Sequence, residues 1–401
     1  MGSKRSFTRI VMQAIIIILP ISVLIYEFTA SKLNTYRQSG LATLALLFLL
    51  FYSSLFCYQN RRYLHFRETK YVLLFTLFSL PAYFMSSFVS MESYVRYFTL
   101  ISFVPLGFMS GLSWGYHYNT VEDRRKDRLL TVFMIPSIIA AGMIANSSSF
   151  VLFNDDAIRD YVFGLVLFLP LVLVYRKVLL PIIFIIIASY ICIISAKRTG
   201  MLCVASVTVF FVLIKLGVKK AKVSSIVTTA LVALFVLFFA YKYLPDITPQ
   251  WENTVERLNS MDDESNEIRL IKYERVWEEL QSSNLITLLF GHGCYASVDY
   301  YGTPIHNDWL EIVLDYGIFS LLCIFALFFS LLIRALKSLK KDFQSSLILL
   351  ATLVVFFITT GGNCMFTNPV AVFVLLFTLG FALSNMIILG SNDLIFARLD
   401  K

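Results

Sequence analysis

Three groups of residues in this chain have the types and spacing for chemistry on an anionic substrate. The first is Lys197-Arg198, within Ser195-Ala196-Lys197-Arg198-Thr199-Gly200, a connection of a few residues between two apolar runs. A guanidinium held in such a turn can clamp a phosphate through two parallel hydrogen bonds; the competing reading is an interfacial pair whose charged heads reach back to lipid headgroups. The second is Arg269 and Arg275, which could complete an anion site or simply pair with Glu267, Glu274 and Glu278 on a solvated helix face. The third is His306, which opens His306-Asn307-Asp308-Trp309-Leu310-Glu311. Histidine titrates near neutral pH and suits a general base, with Asn307 and Asp308 as orienting groups; a lone histidine is also commonly a structural one. The chain has 4 histidines in all, and His65 and His117 fall on the opposite side from His292 and His306, so no multi-histidine metal site is expected. Gly291-His292-Gly293 lacks the strand and the lysine-serine pair of a nucleotide phosphate loop.

The elements that must position these residues are membrane helices. The 401 residues are 58% hydrophobic and 15% charged, with a mean hydropathy of +0.74, against about half apolar and a quarter charged in a soluble domain. Apolar windows of spanning length fall at 10–29, 40–58, 71–90, 97–117, 129–147, 161–175, 178–195, 199–215, 223–243, 309–333, 345–362 and 369–390. The expected architecture is therefore an all-α polytopic membrane protein of about 12 transmembrane helices. Its divisions are 1–243, holding the first nine spans; 244–308, one long loop; and 309–401, the last three spans and a tail. Within that loop Ile268, Ile271, Val276, Trp277 and Leu280 recur at near-helical spacing, which predicts an amphipathic helix over 266–280 lying along the membrane surface.

Lysine and arginine set the orientation, because cytoplasmic loops carry an excess of both. With the amino terminus inside, the inner segments hold Lys4, Arg5 and Arg9, then Arg61, Arg62, Arg67 and Lys70, then Arg124, Arg125, Lys126 and Arg128, and later Arg334, Lys337, Lys340 and Lys341. Both termini are expected in the cytoplasm and the long loop outside. The net charge of +8 then follows from basic inner loops and does not point to a nucleic-acid partner. The amino end is read as a retained first span rather than a cleaved signal peptide. The 6 cysteines contain no CxxC pair and read as small apolar residues, with a Cys294–Cys364 bridge the one pairing the topology allows.

In this order these elements resemble the O-antigen ligase and polymerase superfamily of bacterial envelope polysaccharide assembly. The pieces that carry the resemblance are the Lys197-Arg198 turn, Ile268-Arg269 followed by Tyr273 and Trp277, Leu289-Phe290-Gly291-His292-Gly293, and His306-Asn307 leading to Glu311 and Gly317. The resemblance implies a GT-C-like membrane fold, a periplasmic loop and a metal-independent, inverting glycosyltransferase of the inner membrane that needs no cofactor. It implies an undecaprenyl-pyrophosphate-linked glycan donor, whose pyrophosphate Arg198 and Arg269 would bind. His306 would take the proton from the acceptor hydroxyl, at a site facing the periplasm, while Lys197, Arg275, Asn307, Asp308 and Glu311 would contact substrate. A Wzy-type polymerase, which extends a lipid-linked repeat unit and works with a chain-length regulator, is favoured over a WaaL-type ligase, which transfers the glycan to lipid A-core. A lipid-linked oligosaccharide flippase is a reading from another class; the near absence of charge within the spans, and of repeated halves, speaks against it.

Overall fold

The computed structural model describes residues 40–59, 66–87, 91–120, isolated positions between 126 and 139, 162–194, 198–215, 264–301, 305–363 and 365–390. The expected spans at 10–29 and 223–243, most of that at 129–147, both termini, Lys197, Cys364 and the first part of the long loop lie outside the described residues. Everything regular among the described residues is helical. In chain order the helices are α1 (Gly40–Gln59), α2 (Arg67–Met85), α3 (Met91–Thr120), α4 (Val162–Phe168, continued by a 3-10 stretch Leu169–Val174), α5 (Leu179–Ile194) and α6 (Arg198–Lys215). They continue with α7 (Glu264–Ser282), α8 (Leu285–Phe290), α9 (Ala296–Tyr301), α10 (Asp308–Ser338), α11 (Phe343–Gly362), a 3-10 turn at Met365–Thr367, and α12 (Pro369–Gly390).

Four of these segments are long and apolar enough to cross a bilayer: Ser93–Tyr118, Asp308–Ser338, Phe343–Gly362 and Pro369–Met386. Four shorter apolar helices, Thr43–Tyr58, Leu165–Val174, Leu179–Ile193 and Thr199–Lys215, accompany them. The chain is thus an all-α, multi-pass membrane protein. Its centre is α12, apolar on every side and wholly buried, as a helix without a polar face must be. The closest contact is with α3, where Gly107, Gly111 and Gly115 recur every four residues. A Cβ on Gly111 would stand 2.8 Å from the Phe377 carbonyl carbon, and one on Gly107 2.6 Å from the Phe373 oxygen. Small residues at this spacing let two backbones meet where lipid supplies no hydrophobic drive. The register rises together on both helices, so α3 and α12 run in the same direction.

The second long contact, α2 with the later part of α10, is antiparallel: Phe78 meets Phe319 at 5.2 Å between ring centroids and Ser79 meets Ser320 at 3.1 Å. At its far end Arg334 reaches Glu68, with Nη2 at 2.8 Å and Nε at 3.1 Å from Oε1, and the Ser330 hydroxyl donates to the same oxygen. Glu68 is fully buried while Arg334 keeps 35% of its side chain exposed. Replacing Arg334 by alanine should therefore cost about 2 kcal/mol, below the ~3–5 kcal/mol of a completely buried pair left half-broken. A lowered thermal midpoint in detergent checks this, and an unchanged one would mean that water reaches Glu68.

Candidate active site

The site is organised by a break in α10. Gly317 has φ 82° and ψ 172° inside the helix, a conformation open to glycine and costly for other residues. The chain reverses there: Trp309 stacks on Phe325 with centroids 4.9 Å apart and planes at 15°. In one straight helix these residues would be roughly 24 Å apart at 1.5 Å per residue. The single span expected over 309–333 is thus a short arm, 308–316, folded back on a spanning arm, 318–338. The second arm alone has the ~20 residues a crossing needs. Backbone that turns within an apolar layer must be satisfied by protein, and the Leu289–Gly293 segment supplies the partners. The His292 amide donates to the Leu314 carbonyl at 2.8 Å and the Gly293 amide to the Asp315 carbonyl at 3.3 Å. The two backbones touch. A Cβ on Gly291 would stand 2.5 Å from the Asp315 carbonyl carbon, and one on Gly317 2.5 Å from that of Leu289.

Three buried carboxylates on the short arm tie loops to it. Asp308 Oδ1 accepts the Phe366 amide at 2.7 Å. Glu311 Oε1 accepts the Ile305 amide at 2.6 Å, and the His306 amide also bonds this carboxylate. Asp315 accepts the amides of Ser297 at 2.9 Å and Tyr295 at 3.2 Å. Asp308 and Glu311, expected to touch substrate, each also hold a loop: Asp308 the 3-10 turn after α11, and Glu311 the segment that carries His306. Asn307 caps the arm, its Oδ1 accepting from the Trp309 amide at 3.0 Å and the Leu310 amide at 3.3 Å. His306 itself sits at φ 62°, in the left-handed region that costs a non-glycine residue about 1–2 kcal/mol and that clusters at functional positions.

The expected cations lie on two different helices. Arg198 is the first residue of α6. The next residue, Thr199, accepts a hydrogen bond from Asn363 Nδ2 at 3.2 Å, and its methyl would be 2.7 Å from a Cβ on Gly362. Asn363 stands two residues before the turn that Asp308 holds, so the start of α6 and the His306 segment flank the carboxyl end of α11. Arg269 lies on α7, whose expected extent of 266–280 is observed as Glu264–Ser282. Along one stripe of α7 come Arg269, Tyr273, Val276 and Leu280, and the last three pack with Ile305, Leu310 and Leu314. Arg269 is exposed one turn before Tyr273. Arg275 is exposed on another face, and its charge acts on Tyr301.

Other contributors were not singled out by residue type. Arg96 Nη2 donates to the Thr367 carbonyl at 3.0 Å, holding the 365–367 turn from the side opposite Asp308. The signal was an arginine at the edge of the 97–117 apolar window. His292 joins three elements through its ring: Nε2 is 2.7 Å from Ser283 Oγ and Nδ1 is 3.3 Å from the Tyr300 hydroxyl, with Glu279 Oε1 at 3.8 Å. Burial pushes the His292 ring below the usual histidine range, with Glu279 partly opposing. Because Ser283 Oγ donates to the Glu279 carbonyl, the neutral ring fits with Nε2–H donating to Ser283 and Nδ1 accepting from Tyr300. This histidine ties the loop together.

The family model described as O-antigen ligase matches residues 182–325. Over that stretch the chain is similar to the O-antigen ligase family. The matched segment runs from α5 into the spanning arm of α10, so it holds the Arg198 turn, α7, the Leu289–Gly293 turn, His306 and the Gly317 break together. A comparison with curated proteins finds no match. The O-antigen ligase family is one of glycosyl-transferring membrane enzymes. The matched segment contains the start of α6 and the His306 segment, which flank the end of α11.

Proposed function

We propose that the protein is an inner-membrane glycosyltransferase that polymerises undecaprenyl-pyrophosphate-linked repeat units at the periplasmic face, in a fold of about 12 spans of the GT-C kind. The observation that carries this reading is the juxtaposition at the carboxyl end of α11: the turn that opens with Arg198 on one side, touching Asn363 through Thr199, and the His306 segment on the other, joined through Asp308 and Phe366. A hydroxyl of the acceptor unit attacks the anomeric carbon of the donor, and His306 takes its proton. The bond from that carbon to the pyrophosphate oxygen breaks, and undecaprenyl pyrophosphate leaves with its charge offset by Arg198 and Arg269. Attack from the face opposite the leaving group inverts the anomeric centre. Pyrophosphate is already a competent leaving group, so positioned cations and a base supply what the reaction lacks. Lys197 and Arg275 extend the positive field toward the donor, and Asn307 orients the histidine segment through its cap. A chain-length regulator is the protein partner this activity calls for.

The test is purified protein with a synthetic lipid-linked repeat unit and no nucleotide or metal, with and without lipid A-core. A ladder of lipid-linked oligomers without core supports the polymerase. Product only with core makes the protein a ligase, and no product with either favours a transporter. In the same assay Arg198→Lys should lose at least about tenfold in rate, since an ammonium does not reproduce a two-pronged clamp. Full activity in that variant would remove the clamp from the mechanism.

A further inference from the structure

One glycine at the site faces open space. Gly361 lies in the last turn of α11, and a Cβ added there would meet, among the described residues, one atom within 4 Å: the indole nitrogen of Trp309, at 4.0 Å. Its neighbour Gly362 is in tight contact with Thr199, at 2.7 Å on the same measure. The opening is therefore specific to one position, with Thr199, in the first turn of α6, beside it. Trp309 is three residues from His306 and is held in orientation by its stack on Phe325 and its edge contact with Phe356 at 6.0 Å. Its indole N–H makes no hydrogen bond with any described residue. One helical turn earlier on the same face of α11, Phe357 is 57% exposed, so described residues leave this face of the helix uncovered.

Resting on the function proposed above, we infer that the gap over Gly361 receives the sugar being transferred, with the Trp309 indole N–H donating to one of its ring substituents. In that reaction the anomeric sugar must lie between the leaving pyrophosphate and the incoming hydroxyl, and the gap adjoins both the start of α6, through Gly362 and Thr199, and the arm that follows His306, through Trp309. Gly361 then sets how bulky a donor sugar can be, and Trp309 is a specificity-determining residue that touches it. Glycine is required here for volume, since the position is an ordinary helical one.

The experiment is a graded series, Gly361→Ala, Gly361→Val and Gly361→Leu, with Trp309→Phe, each assayed on the lipid-linked repeat unit and each melted in detergent. Gly361→Ala should retain rates within about threefold. Gly361→Leu should lose about a hundredfold or more in kcat/KM at an unchanged melting midpoint, because its side chain enters unoccupied space; Gly361→Val serves if the leucine protein does not fold. Trp309→Phe keeps the stacking surface and deletes the donor, so KM should rise about tenfold, the worth of one good hydrogen bond, with kcat little changed. Wild-type turnover by Gly361→Val or Gly361→Leu, or an unchanged KM in Trp309→Phe, overturns the inference while leaving the proposed reaction standing. Absence of product from the wild-type protein would instead overturn the reaction itself, which separates the two failures.

Discussion

Replacing His306 by asparagine should lower glycosyl transfer by about a thousandfold, within the range lost with a general base, while leaving the folded protein intact. Asparagine is the informative substitution because of the backbone. His306 has φ 62°, and asparagine is among the residues that tolerate the left-handed region, whereas alanine there adds strain that confuses a chemical effect with a structural one. The backbone bonds to Glu311 use the amides of Ile305 and His306, which the substitution does not alter. The expected pattern is a fall in kcat with a melting midpoint close to wild type. A His306→Asn protein that still builds oligomers at the normal rate would remove the histidine from the chemistry and leave it as a turn residue.

Replacing Gly317 by alanine should have the largest effect on stability, about 3 kcal/mol. A Cβ at this position meets the Leu289 carbonyl carbon at 2.5 Å, and the residue must hold φ 82°, at a cost of about 1–2 kcal/mol for an L side chain. If the Leu289–Gly293 segment is pushed away, the amides of His292 and Gly293 lose the carbonyls of Leu314 and Asp315, each bond worth about 1 kcal/mol net. The reversal in α10 would loosen with it, along with the short arm that carries Trp309 and anchors His306. The measurement is the thermal midpoint in detergent together with transfer activity, and both should fall. Gly291→Ala approaches the same contact from the other backbone, so it should produce a similar loss. A Gly317→Ala protein with wild-type stability would mean that α10 can run straight, contrary to the stacking of Trp309 on Phe325.

Much of the proposed site is legible as residue types in order. Arg198 in its turn, Arg269 on an amphipathic helix and His306 before an apolar run could be named from the chain because charge is rare in this composition and therefore conspicuous. The helices were legible for the same reason, since a segment that faces lipid must be apolar over a length set by the bilayer, and nine of the expected windows coincide with described helices wholly or in large part. Hydropathy carries no information on direction, however. The run from Trp309 to Leu332 reads as one apolar stretch whether it is straight or folded at Gly317, and only the contacts made by the two arms distinguish these.

What the sequence by itself determined is the helical, membrane class of the protein and the positions of the apolar helices among the described residues, and it marked the residue types suited to chemistry, because these depend on composition and local period. The tertiary structure decided which of those residues meet. It made Asp308 and Glu311 anchors of the 365–367 turn and of the His306 segment, since a buried carboxylate takes whatever amides the fold brings to it. It brought Arg96 to the turn after α11, and it left space over Gly361 while closing it over Gly362. Both glycines look the same in a sequence; what stands opposite each one depends on where α6 and the short arm of α10 come to rest.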